Sequence, residues 1–131
     1  MRKLSCVLVL ALLAAAGCHG AEKIVGDPVQ TVESPDGVAS AVVTKANGGA
    51  TVSFVFRVYL RKVGASAAVE VLRADKTEGL SVTWADDRSV VVKMPCGRIF
   101  AYQNFFDVLS DDGRLLKRGA VQLETAGLCA S

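Results

Sequence analysis

The clearest pattern along the chain is a strict alternation between Thr51 and Val63. Val52, Phe54, Phe56, Val58 and Leu60 fall on one side of it, and Thr51, Ser53, Val55, Arg57, Tyr59 and Arg61 on the other. Successive side chains of a strand point to opposite faces, so this period predicts a sheet with one buried and one wet face. Shorter runs repeat the theme. Val29–Ser34 and Val38–Lys45 flank Pro35-Asp36-Gly37. That is a turn sequence: proline presets its own φ, aspartate bonds locally, and glycine accepts a left-handed backbone. Ala68–Ala74 predicts a strand, and the polar run Asp75–Gly79 a loop. Leu80, Val82 and Trp84 alternate with Ser81, Thr83 and Ala85 before Asp86-Asp87-Arg88 turns the chain into Val90–Val92. Arg98–Tyr102, Phe105–Leu109 and Arg114–Glu124 complete the set, with Gly119 predicting a bulge or break in the last. No segment carries a long helical period. The expectation is an all-β domain of about seven to nine short strands, as an antiparallel meander, sandwich or small barrel.

The first residues do not fit that pattern. Arg2 and Lys3 precede the apolar run Leu4–Ala16, and small residues then lead to Cys18. This is the layout of an export signal. The run is about 13 residues long, short of the roughly 20 that span a bilayer. Ala15-Ala16-Gly17-Cys18 resembles a bacterial lipoprotein signal, with Ala15 where leucine is common. In such a signal the cysteine is acylated and becomes the new N-terminus. Each buried methylene adds about 0.8 kcal/mol, so a multiply acylated Cys18 would anchor stably. A plain secretory cleavage after Ala14-Ala15-Ala16, leaving Gly17 first, is the competing reading. The lipoprotein reading divides the chain into a signal (1–17), an anchor and tether (18–28) and a β-rich domain (29–131). It predicts an exported protein held to a membrane by its N-terminal lipid. His19 is not the aspartate that often retains lipoproteins in the inner membrane. The expected place is therefore the outer membrane, facing the periplasm, in a cell that has one.

Cysteine usage bears on the same choice. Cys6 leaves with the signal. If Cys18 is acylated, Cys96 and Cys129 remain as a natural disulfide pair in an oxidising compartment. Cleavage before Gly17 instead leaves three cysteines and one orphan, and two unpaired thiols are the other alternative. Charge narrows the partners. The chain has 15 basic and 13 acidic residues, and losing Arg2 and Lys3 leaves 13 of each. No basic stripe survives to bind nucleic acid.

Ser34-Pro35-Asp36-Gly37, Trp84-Ala85-Asp86-Asp87 and Leu109-Ser110-Asp111-Asp112-Gly113 share a turn-then-strand look. The first is similar to the hairpin of periplasmic β-propeller repeats, but a propeller needs about four or more blades of some 40 residues. Ser34–Gly37, Ala41-Val42-Val43, Gly49-Ala50-Thr51 with Phe54, and Val82-Thr83-Trp84-Ala85-Asp86-Asp87 together resemble a family of small bacterial secreted proteins and lipoproteins. The likeness runs over about Glu33–Phe100, a little over half of the mature chain. That family often has a cysteine where this chain has Gly48. The resemblance implies an exported β-rich domain and brings no activity with it.

Chemistry is sparse. Hydrolytic catalysis needs a base held beside a nucleophile, and the one histidine, His19, sits on the tether. Asp86-Asp87 and Asp111-Asp112 read as solvated turns, since neighbours on a strand point apart. The cysteines lack a zinc spacing, and no glycine-rich loop opens a helix. The expectation is no enzyme, no metal and no cofactor. Two surfaces are candidates for an envelope protein partner: Arg57, Tyr59 and Arg61 on the wet face of the long strand, and the aromatic stretch with Phe100 and Tyr102. A non-enzymatic binding or structural module of the envelope follows. The alternative is an inhibitor of an exported enzyme such as a cell-wall hydrolase, acting through Lys45–Ala50 or Asp75–Gly79.

Overall fold

The computed structural model describes residues 22–49 and 53–130. Within them lie ten strands and no helix: β1 (Glu22–Lys23), β2 (Asp27–Glu33), β3 (Ala39–Ala46), β4 (Val55–Lys62), β5 (Ala67–Glu78), β6 (Ser81–Asp86), β7 (Ser89–Lys93), β8 (Cys96–Tyr102), β9 (Phe105–Leu109) and β10 (Leu115–Glu124). The all-β expectation holds. One sheet has the order β1-β5-β4-β3-β2, with β8 also paired to β5; the other runs β6-β7-β10-β9.

Neighbouring hairpins account for most of the pairing, as the turn signals foretold. Three pairings join strands that are not consecutive: β1 with β5, β5 with β8, and β10 with β7; only the last is parallel. The first half of β10 folds back antiparallel on β9, with Leu115 opposite Leu109 and Ala120 opposite Phe105. Its second half runs parallel to β7, from Ala120 opposite Ser89 to Glu124 opposite Lys93. A strand of ten residues is long enough to serve both partners, and this parallel pair departs from the purely antiparallel expectation.

The two sheets close over one core. Val43, Val58, Leu60 and Leu72 from the first sheet meet Val82, Val90, Val92, Phe106, Val108 and Val121 from the second. Trp84 meets the Phe106 ring edge-on at 5.9 Å, a geometry that suits the ring quadrupoles. Gly119 is required here. A Cβ at this position would run into the Phe106 ring and the Arg88 carbonyl. It marks a close approach rather than the expected bulge, which falls between Leu115 and Lys117 instead.

Side chains stitch the margins of the sheets together. The Gln30 amide accepts from Val82 N–H at 3.0 Å and donates to Val82 O at 3.2 Å, so β2 grips β6. Trp84 Nε1 donates to Val32 O at 2.9 Å. On the other side, Tyr102 O–H donates to Val121 O at 2.6 Å, which fastens β8 to β10.

The turn motifs meet at Lys117. This lysine is buried, with its side chain 5 % exposed. Its Nζ donates to the Asp36 carboxylate at 2.7 and 2.8 Å and to the Asp87 carbonyl at 2.6 Å. It also lies 5.7 Å from the Trp84 ring. One ammonium thereby joins the β2–β3 turn, the β6–β7 turn and β10. The β2–β3 turn is locked internally as well: Ser34 Oγ donates to Asp36 at 2.6 Å and accepts from Ala39 N–H at 3.0 Å, with Gly37 at φ +71°. The turn at Ser110–Gly113 repeats the plan. Ser110 Oγ bonds Asp112 and accepts from Arg114 N–H, with Gly113 at φ +85°.

Two stretches differ from the sequence reading. Asp75–Glu78 belongs to β5 rather than to a loop. Asp75 is 1 % exposed because Arg98 on β8 clamps both of its oxygens at 2.8 and 2.6 Å. Paired in this way, a carboxylate can sit inside a sheet. The second stretch is Glu22–Pro28, assigned above to the tether, which belongs to the domain through β1 and the start of β2.

Candidate functional site

β1 and β2 lie at opposite ends of the strand order. Ile24–Gly26, between them, therefore crosses the outer face of the first sheet as a strap. Ile24 packs on Val42, Tyr59 and Ala68. Val25 N–H donates to the Tyr59 hydroxyl at 3.3 Å, and Val25 O accepts from Thr44 Oγ1 at 2.7 Å. This corrects one candidate surface. Tyr59 is not on a wet face; it is 1 % exposed beneath the strap. Arg57 and Arg61 share its face but are engaged locally. Arg57 pairs with Glu70 at 3.4 Å, and Glu70 also holds Arg73 at 2.8 Å. Arg61 donates to Ala65 O at 3.3 Å. The strand is shorter than the alternation predicts, since it begins at Val55 and leaves Phe54 exposed, and the strap that covers its second face comes from a segment with no periodicity of its own.

The other candidate surface is exposed. Phe100 and Tyr102 stand on β8 with about half of their surface in water. Arg98 lies 5.0 Å from the Phe100 ring. Tyr102 presents only its ring, because its hydroxyl is spent on Val121; partial burial raises its ionisation above the ordinary tyrosine value. The two sets of candidates do not form one surface.

Sequence reasoning missed the extent of this margin. Among the described residues eleven large apolar side chains are exposed, and Ile99, Phe100, Tyr102, Phe105, Leu109, Leu115 and Leu116 make up seven of them, all on β8, β9 and the start of β10. Exposed apolar side chains scattered singly mean little, but Phe105, Leu109 and Leu116 stand on the outward rows of neighbouring β9 and β10, which makes this margin a candidate interaction surface. A usable signal was present. In Leu115–Glu124, Lys117, Gly119, Val121 and Leu123 form the inward row, which turns Leu116 and Arg118 outward.

The charges around this margin are paired. Arg118 clamps Asp107 at 2.7 and 2.9 Å, Arg114 meets Asp112 at 3.2 Å, and Arg98 holds Asp75. Arg118 keeps the Asp107 carboxyl below its usual range, and the Ser110 hydroxyl does the same for Asp112. Asp111 bonds Lys62 at 3.2 Å. Asp86 accepts from Arg88 N–H at 2.8 Å. The two aspartate pairs thus serve their turns, as read from the sequence.

A cleft of about 550 Å³ opens between the β4–β5 hairpin and β9. Leu60, Val69, Val108 and Leu109 line its apolar part, with Lys62 and Asp111 also on its wall. Ala67 and Ala68, the partners of β1, line the same cleft.

Cys96 and Cys129 are bridged, with Cα atoms 4.6 Å apart. The bridge holds the segment after β10 against β8, helped by Gly97 N–H donating to Gly127 O at 2.9 Å. Glu78 stands beside the two sulfurs. Bridged sulfurs have no thiolate to offer a metal, so this trio is not a metal site while the bridge is closed. Of the loops weighed for inhibition, Asp75–Glu78 is strand. Cys18 and His19 lie outside the described residues. Comparison with protein-family models, with curated proteins and with solved structures returns no match.

Proposed function

We propose that this protein is a lipid-anchored module of the bacterial cell envelope that acts by binding rather than by catalysis, with the β8–β10 margin as its contact surface. The concentration of exposed apolar side chains on that margin carries the reading. The signal-like start ending at Cys18 supports its place, and the likeness to small secreted proteins and lipoproteins agrees with it. In a cell with an outer membrane, the domain faces the periplasm.

Protein purified from membranes tests the anchor through its intact mass, with and without reduction and alkylation. The expected mass is that of a chain starting at an acylated Cys18, with Cys96 and Cys129 protected until reduction. A chain starting at Gly17 with a free thiol would mean a soluble secreted protein and end this proposal. Cross-linking in intact envelopes tests the surface: adducts should map to 98–118 and fall when Phe100 and Phe105 are changed to serine. Adducts unaffected by the double change would place the contact elsewhere.

A further inference from the structure

We propose that the apolar margin of β8–β10 rests on the phospholipid surface that holds the anchor, so that the domain lies against the membrane instead of projecting from it. This inference rests on the lipid-anchor reading above.

Chain length comes first. Cys18 is four residues before Glu22, where β1 begins. Four residues span at most about 14 Å, so the domain cannot stand clear of the head groups. Position comes second. Glu22 lies opposite Ala68, and Ala68 shares the wall of one cleft with Leu109 on β9. Along β5, Leu72 lies opposite Tyr102, and four residues of strand cover about 13 Å. The base of the tether is therefore beside the margin.

The chemistry of the margin suits lipid better than a protein strand. Between the pairs Arg73–Ala101 and Ala74–Ile99 the β8 register shifts at Phe100. A bulge of this kind breaks a sheet edge as a template for strand addition. The aromatic rings of Phe100, Tyr102 and Phe105 suit the level between head groups and acyl chains. Arg98, Arg114 and Arg118 are each paired with a carboxylate, so the margin meets head groups with no net charge to repel or attract them. Apolar contact holds it there, and added salt should leave the contact in place.

The test uses the acylated full chain in vesicles of phosphatidylethanolamine and phosphatidylglycerol. The vesicles contain a phospholipid with a diazirine at head-group depth. After illumination, lipid adducts are mapped by peptide mass spectrometry. Adducts are expected on 98–118 and roughly tenfold fewer on 27–46, the contrast given by about 1.4 kcal/mol of differential contact. The double variant F100S/F105S should lose the 98–118 adducts and keep those beside Cys18. Raising salt to about 0.5 M should leave the map unchanged. Adducts confined to the residues beside Cys18, or spread evenly over both segments, on an acylated and vesicle-bound chain would overturn this inference and leave the anchor standing. A chain that carries no acyl group and stays in solution would overturn both.

Discussion

Lys117 is the residue on which most of the architecture converges. A buried ammonium is costly unless it is paired and hydrogen-bonded, and here Asp36 and the Asp87 carbonyl supply the partners. Lys117→Met keeps much of the volume but leaves a carboxylate and a carbonyl without their donor. We expect a loss of about 2–3 kcal/mol in denaturant unfolding, with both turns loosened in amide exchange. The pair also sets an acid limit. The Lys117 ammonium, then the Ser34 hydroxyl, hold the Asp36 carboxyl at about 2, below the ordinary 3.8. A carboxyl depressed in the folded state stabilises fully above its unfolded value, and that gain fades as pH falls toward its folded value. The thermal midpoint should therefore fall between pH 3.8 and about 2, and Lys117→Met should flatten the part due to Asp36. An unchanged slope in the variant would refute the coupling. Lys117 was half legible. Its row with Val121 and Leu123 placed it inward, but the reason an inward lysine is tolerated lies 81 residues away at Asp36, beyond any local pattern.

At the scale of elements, short apolar runs bounded by turn residues were sufficient to place most strands. β2, β3, β6, β7 and β9 fall close to their expected positions. They failed where polarity was compensated at a distance. Asp75–Glu78 looks like a loop because only the Arg98 clamp lets Asp75 enter a sheet. Tyr59 looked wet because nothing in Ile24–Gly26 announces a strap. Gly119 was recognised as special, but for the wrong cause. Gly119→Ala should cost more than about 2 kcal/mol, since neither the Phe106 ring nor the Arg88 carbonyl has room to retreat in a packed core. A thermal midpoint equal to that of the parent would show that this contact is softer than its geometry implies. The bridge acts on another element. Cys129→Ser opens a loop with a sequence separation of 33, and a bridge of that span contributes about 2–4 kcal/mol. The amides that tie the terminal segment to the start of β8, Gly97 on β8 and Ala126 after β10, should exchange faster, while those of β2 and β3 should not.

At the scale of the whole molecule, the two sheets depend on contacts made at both margins, Gln30 to Val82 on one side and Tyr102 to Val121 on the other. Tyr102→Phe removes the donor and leaves a buried carbonyl without it, and should cost about 1–2 kcal/mol. The ring should stay on the margin, so lipid adducts on 98–118 should persist. The all-β class could be read from the sequence because most strands carried their own alternation and were bounded by turn residues. The sheet order could not, because a parallel partner shares no turn with β10 and leaves no mark in its residues.

That parallel seat has a consequence for how the chain is made. β10 sits between β7 and β9, so β9 lacks this partner until Ala120 has emerged and β7 until Glu124 has. Synthesis proceeds at about 5–20 residues per second, far slower than a hairpin closes. The first sheet can pair its consecutive strands β2 to β5 during that time, whereas the second waits for its last member. For that interval Val90, Val92 and Phe106 have no lid, and the nascent domain is a client for any holdase that recognises unpaired apolar strands.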